Sequence, residues 1–257
     1  MHHDSEAEHA TAVARSALYA FLGRALAYPT PAHRAELAEM IVPVVSAVQT
    51  GDDDADRLVP EIIAALTLPL ADARRAHTRV FTHIEPPDYP PYETAFDSAD
   101  AFRQSAVMAD VAGFYRAHGL QVGGVERERP DHAVTELEFM AFMARKEAYA
   151  LEHFGTEQVE ECRRTQVLFL RDHLGRWAPA FGRRLATFCD DPLFRSVGSL
   201  LERWIEIELA AWDAEPATRL ESPHPAPRPT TVDAASTHPS ARRPQNTGSP
   251  SRSGRES

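Results

Sequence analysis

Cysteine is nearly absent from this chain: Cys162 and Cys189 are the only two, and they lie far apart. That excludes a disulfide framework and a thiolate metal knuckle and suits a reducing compartment. Long apolar runs are missing too, since the stretch from Ile62 to Leu70 falls far short of the roughly 20 residues that cross a bilayer. Met1 to Ala10 has neither a basic region nor an apolar core, so no export signal is read there. Strand-like alternation is lacking throughout. Positive charge is in deficit, with a formal net charge of −11, which argues against general binding to a phosphate backbone and suits a basic or neutral partner. The expectation is a cytoplasmic protein with no nucleic-acid partner and no stable membrane insertion.

What remains is helix after helix. Ala14, Leu18, Phe21, Leu22, Ala25 and Leu26 share one face of a first helix, which Tyr28-Pro29-Thr30-Pro31 ends. Further helices are expected over about 32–48, 56–66 and 71–83, then over a buried segment containing Phe102, Val107 and Phe114. In that segment Gly113 reads as a close helix contact and Gly119 as the residue just past the helix end. Past Gly155 a helix is expected to stop at Gly175, a short one to span Ala180 to Phe188, and a last one to reach Trp212. The fold class is therefore all-α, a single-domain bundle of about eight or nine helices over 10–212, with 1–9 a flexible N-terminus.

From 213 onward prolines, serines, threonines and arginines accumulate and no apolar period survives, so 213–257 is expected to be a disordered tail. From Glu215 on, six arginines face four acidic residues, which makes that segment +2 and leaves −13 for the remainder. The body is acidic.

Two stretches stand out. Arg129-Pro130-Asp131-His132 opens a central helix: Pro130 disfavours helix for Arg129, Asp131 is the candidate N-cap, and Val134, Leu137, Met140, Ala141 and Ala144 follow at helical spacing. Asp131 and His132 are expected to be exposed at its positive end. The second is Ile84 to Glu93, where four prolines with Tyr89 and Tyr92 make a stiff segment, either one wall of a peptide groove or a rigid connector.

Catalytic readings find little support. A di-iron bundle needs inward Glu-x-x-His pairs, and the only such spacings, Glu6 to His9 and Glu221 to His224, lie in the flanking segments. His132 and Glu136 stand four apart on the central helix, yet two ligands do not close a metal site. Neither cysteine sits in a nucleophile motif. No enzyme, cofactor or metal is expected. A helical metal-binding protein and a general interaction scaffold are the alternative readings.

Tyr89-Pro90-Pro91-Tyr92-Glu93, the run Met108 to Leu120, the run Pro130 to Met140 and the run Phe169 to Trp177 together resemble the TorD/DmsD/NarJ family of redox-enzyme maturation chaperones, in collinear order over about 10–212. Within it the chain is most similar to the chaperones of type II dimethyl-sulfoxide-reductase-like enzymes, a class that includes nitrate, selenate and chlorate reductases. The resemblance implies a cofactor-free helical chaperone, monomeric or dimeric. Such a protein binds the catalytic subunit of a molybdopterin-dependent oxidoreductase, often through its twin-arginine leader peptide, and delays export until the cofactor is inserted. By the same resemblance Asp131 and His132 are client-binding residues, with Tyr89, Tyr92, Glu93 and Glu136 nearby. Asp131 would be an arginine acceptor or the residue that orients His132. A plain helix cap worth about 1 kcal/mol stands beside that reading.

Overall fold

A computed structural model describes residues 2–47, 53–82, 88–98, 100–123 and 128–224. Among these residues the chain forms ten α-helices and no strand: α1 His2–Leu26, α2 Pro31–Ala47, α3 Asp53–Leu66, α4 Leu70–Phe81, α5 Glu93–Asp97, α6 Ala101–Ala117, α7 Ala133–His153, α8 Thr156–Phe169, α9 Gly175–Phe188 and α10 Pro192–Trp212. The all-α expectation holds. The Pro86-Pro87 part of the proline segment lies outside the described residues.

The central helix is α7, whose Val134, Leu137, Met140, Met143 and Ala144 are buried as the helical spacing requires. It runs antiparallel to α1: a Cβ on Gly23 would lie 3.6 Å from Leu137 at one end, and His9 stands 3.9 Å from Glu152 at the other. α1 is a helix from His2 on, taking in the residues read as a flexible N-terminus. Glu8 is tied to Arg163 of α8 at 3.0 Å. A buried ion network joins α1, α7, α8 and α10. Arg15 donates to Glu208 (2.6–3.0 Å) and Glu147 (3.2 Å), Tyr19 donates to Glu208 (2.9 Å), and Arg163 and Gln166 donate to Glu147 (2.7 and 2.8 Å). Buried Arg15 and the partly exposed Arg163 together face the two buried carboxylates, the pairing under which such burial is tolerated.

Glycines act where backbones meet. A Cβ on Gly182 of α9 would lie 2.6 Å from the Gly198 carbonyl oxygen of α10, and one on Gly198 would meet the Gly182 oxygen at the same distance. Gly113, expected to permit close helix contact, has only the Arg116 guanidinium 4.0 Å away. Gly119 does end α6, with φ +75° and the paired bonds Leu120 N–H to Tyr115 O (2.8 Å) and Gly119 N–H to Arg116 O (3.0 Å) of a Schellman motif.

Gly175 does not stop a helix. The chain runs from α8 through a five-residue π-helical turn, Leu170–Leu174, directly into α9. The Gly175 N–H reaches back to Leu170 O, and a Cβ there would lie 2.4 Å from that oxygen, so the glycine permits the wide turn. Pro179 is carried inside α9, just past this change of register. At the other end of α10 the chain is not yet a free tail. Asp213 turns left-handed (φ 47°), Ala214 is buried, and residues 214–224 run back across α9 to α5, where Leu220 N–H donates to Arg176 O (2.7 Å) and His224 N–H to Ala95 O (2.8 Å). Arg219 clamps Glu206 and Arg183 holds Glu221. Residues 214–224, expected to be part of a disordered tail, are therefore held to the body: local composition is tail-like, but main-chain bonds and ion pairs fasten the segment.

Candidate functional site

The two singular stretches meet. Tyr92 and His132 form an isolated antiparallel bridge, in which Glu93 N–H donates to Asp131 O and Ala133 N–H to Pro91 O, both at 2.9 Å. The bridge brings the segment before α5 alongside the N-terminus of α7. Tyr115 of α6 fastens the same corner by donating to Pro130 O (2.8 Å).

Asp131 is fully buried, contrary to the exposed position expected at the helix mouth, and it does not cap α7. Its Oδ2 accepts from Thr94 N–H (3.2 Å) and Thr94 Oγ1 (2.7 Å), closing the first turn of α5. Arg129 grips the same carboxylate through Nε to Oδ1 (3.0 Å) and Nη2 to Oδ2 (2.8 Å). The N-cap of α7 is His132, whose Nδ1 accepts from Val134 N–H at 3.1 Å. Burial lowers its pKa to about 4, so the imidazole is neutral at pH 7 with its proton on Nε2. Its ring stands edge-on to Tyr92 at 5.1 Å.

Glu93 and Glu136 lie behind this surface, both fully buried. Glu93 is bonded to His173 Nδ1 (3.0 Å) and Arg176 Nη1 (3.2 Å), and Arg176 continues to Asp97 (2.8 Å). Burial pushes the Glu93 carboxyl up while His173 and Arg176 pull it back down. Glu136 accepts from Trp177 Nε1–H (3.1 Å), its Oε1 has no hydrogen-bond partner, and burial pushes it well above the usual carboxylate range. Tyr89 turns inward to the Cys189 thiol. Of the six expected site residues, then, Tyr92 and His132 line the open surface, Asp131, Glu93 and Glu136 lie buried beside them, and Tyr89 is buried against Cys189. His132 and Glu136 are engaged separately, and among the described residues no group of three or more metal-ligating side chains is assembled.

The open surface is a groove of about 700 Å³ between α1, α4, α7 and the bridge. Tyr28, Phe81, Tyr92, His132, Leu120 and Phe142 give it an aromatic and apolar wall, and Glu128 and Glu138 bring acid to its lining. Arg24 also lines it, ion-paired to Glu36 and Glu138. Four residues important to this geometry were not among the expected site residues: Thr94, Arg129, His173 and Arg176. A signal existed for Arg129. Pro130 suits the second position of a turn, and the turn closed by His132 N–H to Arg129 O (3.2 Å) folds Arg129 back beside Asp131.

The family model described as nitrate reductase delta subunit matches residues 49–183, more than half of the chain. The chain belongs to this family. It is the NarJ/TorD type of redox-enzyme maturation chaperone that the sequence motifs resemble. The matched residues hold both sides of the bridge, the π turn and Arg176; α1 and α10, which supply Arg15 and Glu208, lie outside them. Among curated family relatives, the selenate reductase assembly chaperone protein of Thauera selenatis is 33% identical over 103 residues, which is 40% of this chain and 51% of the relative. The chlorate reductase assembly chaperone protein of Ideonella dechloratans is 34% identical over 82 residues, 32% of this chain and 42% of the relative. The chain thus spans about half the length of the curated relatives it matches.

Proposed function

We propose that this protein is a cytoplasmic assembly chaperone, not a catalyst, for a molybdopterin-dependent oxidoreductase of the selenate- and chlorate-reductase kind. It binds the catalytic subunit through that subunit's twin-arginine leader and delays export until the molybdenum cofactor is in place. The observation that carries the reading is the groove at the Tyr92–His132 bridge. Its aromatic and apolar wall suits the hydrophobic region of a leader, and acid at its lining, Glu138 being shared with Arg24, suits a segment that carries paired arginines. The neutral His132 ring adds no competing positive charge at pH 7. Family membership and the names of the two relatives support the same class of client.

Calorimetric titration of the full chain with leader peptides of molybdenum enzymes from the same cell tests this. Saturable binding of one leader, lost when its two arginines become glutamines, is the expected result. No binding to any leader would overturn the leader role. Failure of the chain to capture cofactor-free catalytic subunit as well would overturn the chaperone reading itself.

A further inference from the structure

The carboxylate of Asp131 is not open to a visiting arginine, because one of the chain's own arginines already holds it. Arg129 lies on it with two parallel N–H···O contacts, at 3.0 and 2.8 Å, and its Nη2 also donates to Thr94 Oγ1 at 2.6 Å. Thr94 gives its hydroxyl proton to Asp131 and so presents a lone pair to the guanidinium. The guanidinium carbon stands 4.6 Å from the centroid of the Tyr92 ring, and Tyr92 is itself groove wall. A forked pair of acceptor oxygens, a third acceptor on the same guanidinium nitrogen and an aromatic face make a cradle that matches a guanidinium and not an ammonium.

The occupant is unevenly held. Asp131 is fully buried, whereas the Arg129 side chain is 43% exposed. The Arg129 main chain is anchored independently of its side chain, since its carbonyl accepts from His132 N–H (3.2 Å) and Thr135 Oγ1 (3.2 Å). Rotation about side-chain bonds alone can swing the guanidinium into water and leave the bridge, the cap of α5 and the start of α7 in place.

We propose that the Asp131–Thr94–Tyr92 cradle is a guanidinium-binding subsite, and that Arg129 occupies it as an internal stand-in that an arginine of the bound client segment displaces. The identity of that segment rests on the leader reading; the subsite itself does not. Exchange of like for like explains how a fully buried carboxylate can take part in recognition without ever being left bare. It also sets specificity. An incoming lysine cannot reproduce the fork and so cannot displace Arg129, while an incoming arginine can. Self-occupancy lowers the apparent affinity of the cradle by the fraction of time it is filled.

The test is chemical rescue in the full chain. Arg129→Ala and Arg129→Gln are expected to melt below the native protein. Agmatine or arginine amide should restore the melting temperature saturably, and cadaverine or lysine amide should not. Arginine amide should bind either variant at least about tenfold more tightly than it binds the native chain. Equal rescue by ammonium compounds, or no rescue by any, overturns the subsite. Should the alanine variant not fold, the glutamine variant and the native chain still decide the matter: the Arg129 Nε–H resonance of the native chain must shift as arginine amide is added, and an unmoved resonance overturns the exchange. A leader peptide that binds the native chain but gains nothing from Arg129→Gln also overturns the exchange. Guanidinium rescue with no leader binding would instead count against the leader reading and leave the subsite standing.

Discussion

Asp131 closes the first turn of a helix from 37 residues away: its carboxylate accepts both the amide and the hydroxyl of Thr94. Because Glu93 N–H also donates to Asp131 O, one residue satisfies the first two orphan donors of α5. Asp131→Ala should therefore destabilise the fold by about 2 kcal/mol, the cost of leaving the buried Thr94 donors without an acceptor, while the half-exposed Arg129 can turn to water. Asp131→Asn, which keeps an acceptor for Thr94, should cost about half as much. Urea unfolding midpoints measure both, and equal losses for the two variants would mean that the Arg129 contact, not the cap, carries the energy.

His132 makes stability depend on mild acid. Its pKa is about 4 in the folded chain against 6.5 when free, so the unfolded state binds the proton first as pH falls. The stability it contributes is complete above pH 6.5 and is lost as pH drops through 4, about 3 kcal/mol in full at 1.36 kcal/mol per unit. His132→Asn keeps a capping side chain and should flatten this slope. Unfolding free energies between pH 4 and 7 for both proteins check it.

Glu136 works in the opposite direction. Its folded pKa lies well above the ordinary 4.5, so its contribution is present below that pH and declines as pH rises. Glu136→Gln, with the same shape and no charge to bury, should gain on the native protein as pH increases. A gain of about 1 kcal/mol at pH 8 would appear as about 2–4 °C in Tm. Its Trp177 partner reports local integrity by fluorescence, which should stay unchanged.

Two glycine-to-alanine changes should part company. At Gly198 the new methyl would lie 2.6 Å from Gly182 O and 2.8 Å from Ala186 N, backbone atoms that cannot turn aside, and the expected cost is about 3 kcal/mol. At Gly113 the nearest foreign atom is the end of the Arg116 side chain at 4.0 Å, and alanine inside a helix should stabilise by about 0.5–1 kcal/mol. Thermal melts of the two variants give the signs directly.

The all-α character, the buried stripe of α7 and the end of α6 at Gly119 could be read from the chain because local spacing and turn chemistry dictate them. α5 could not be read. Five residues show no period, and this helix is held from outside by Asp131 and by His224. Gly175 misled for a similar reason, since a glycine that ends a helix and one that admits a π turn look alike in sequence. At the site, the meeting of the Tyr92 and His132 stretches was legible as two unusual segments. Capping rules, however, consider only the following turn, so they place the Asp131 carboxylate outward on its own helix when it lies inward on another.

The strap 214–224 bears on the order in which the molecule becomes competent. α5 is gripped at its start by Asp131 and farther along by His224, and the strap also joins Leu220 to Arg176, which itself reaches Glu93. A ribosome releases these residues from first to last, so the wall of the groove lacks its outermost fastening until residue 224 has emerged. The surface nearest the middle of the sequence thus waits for its last fastening on residues about a hundred positions farther along the chain.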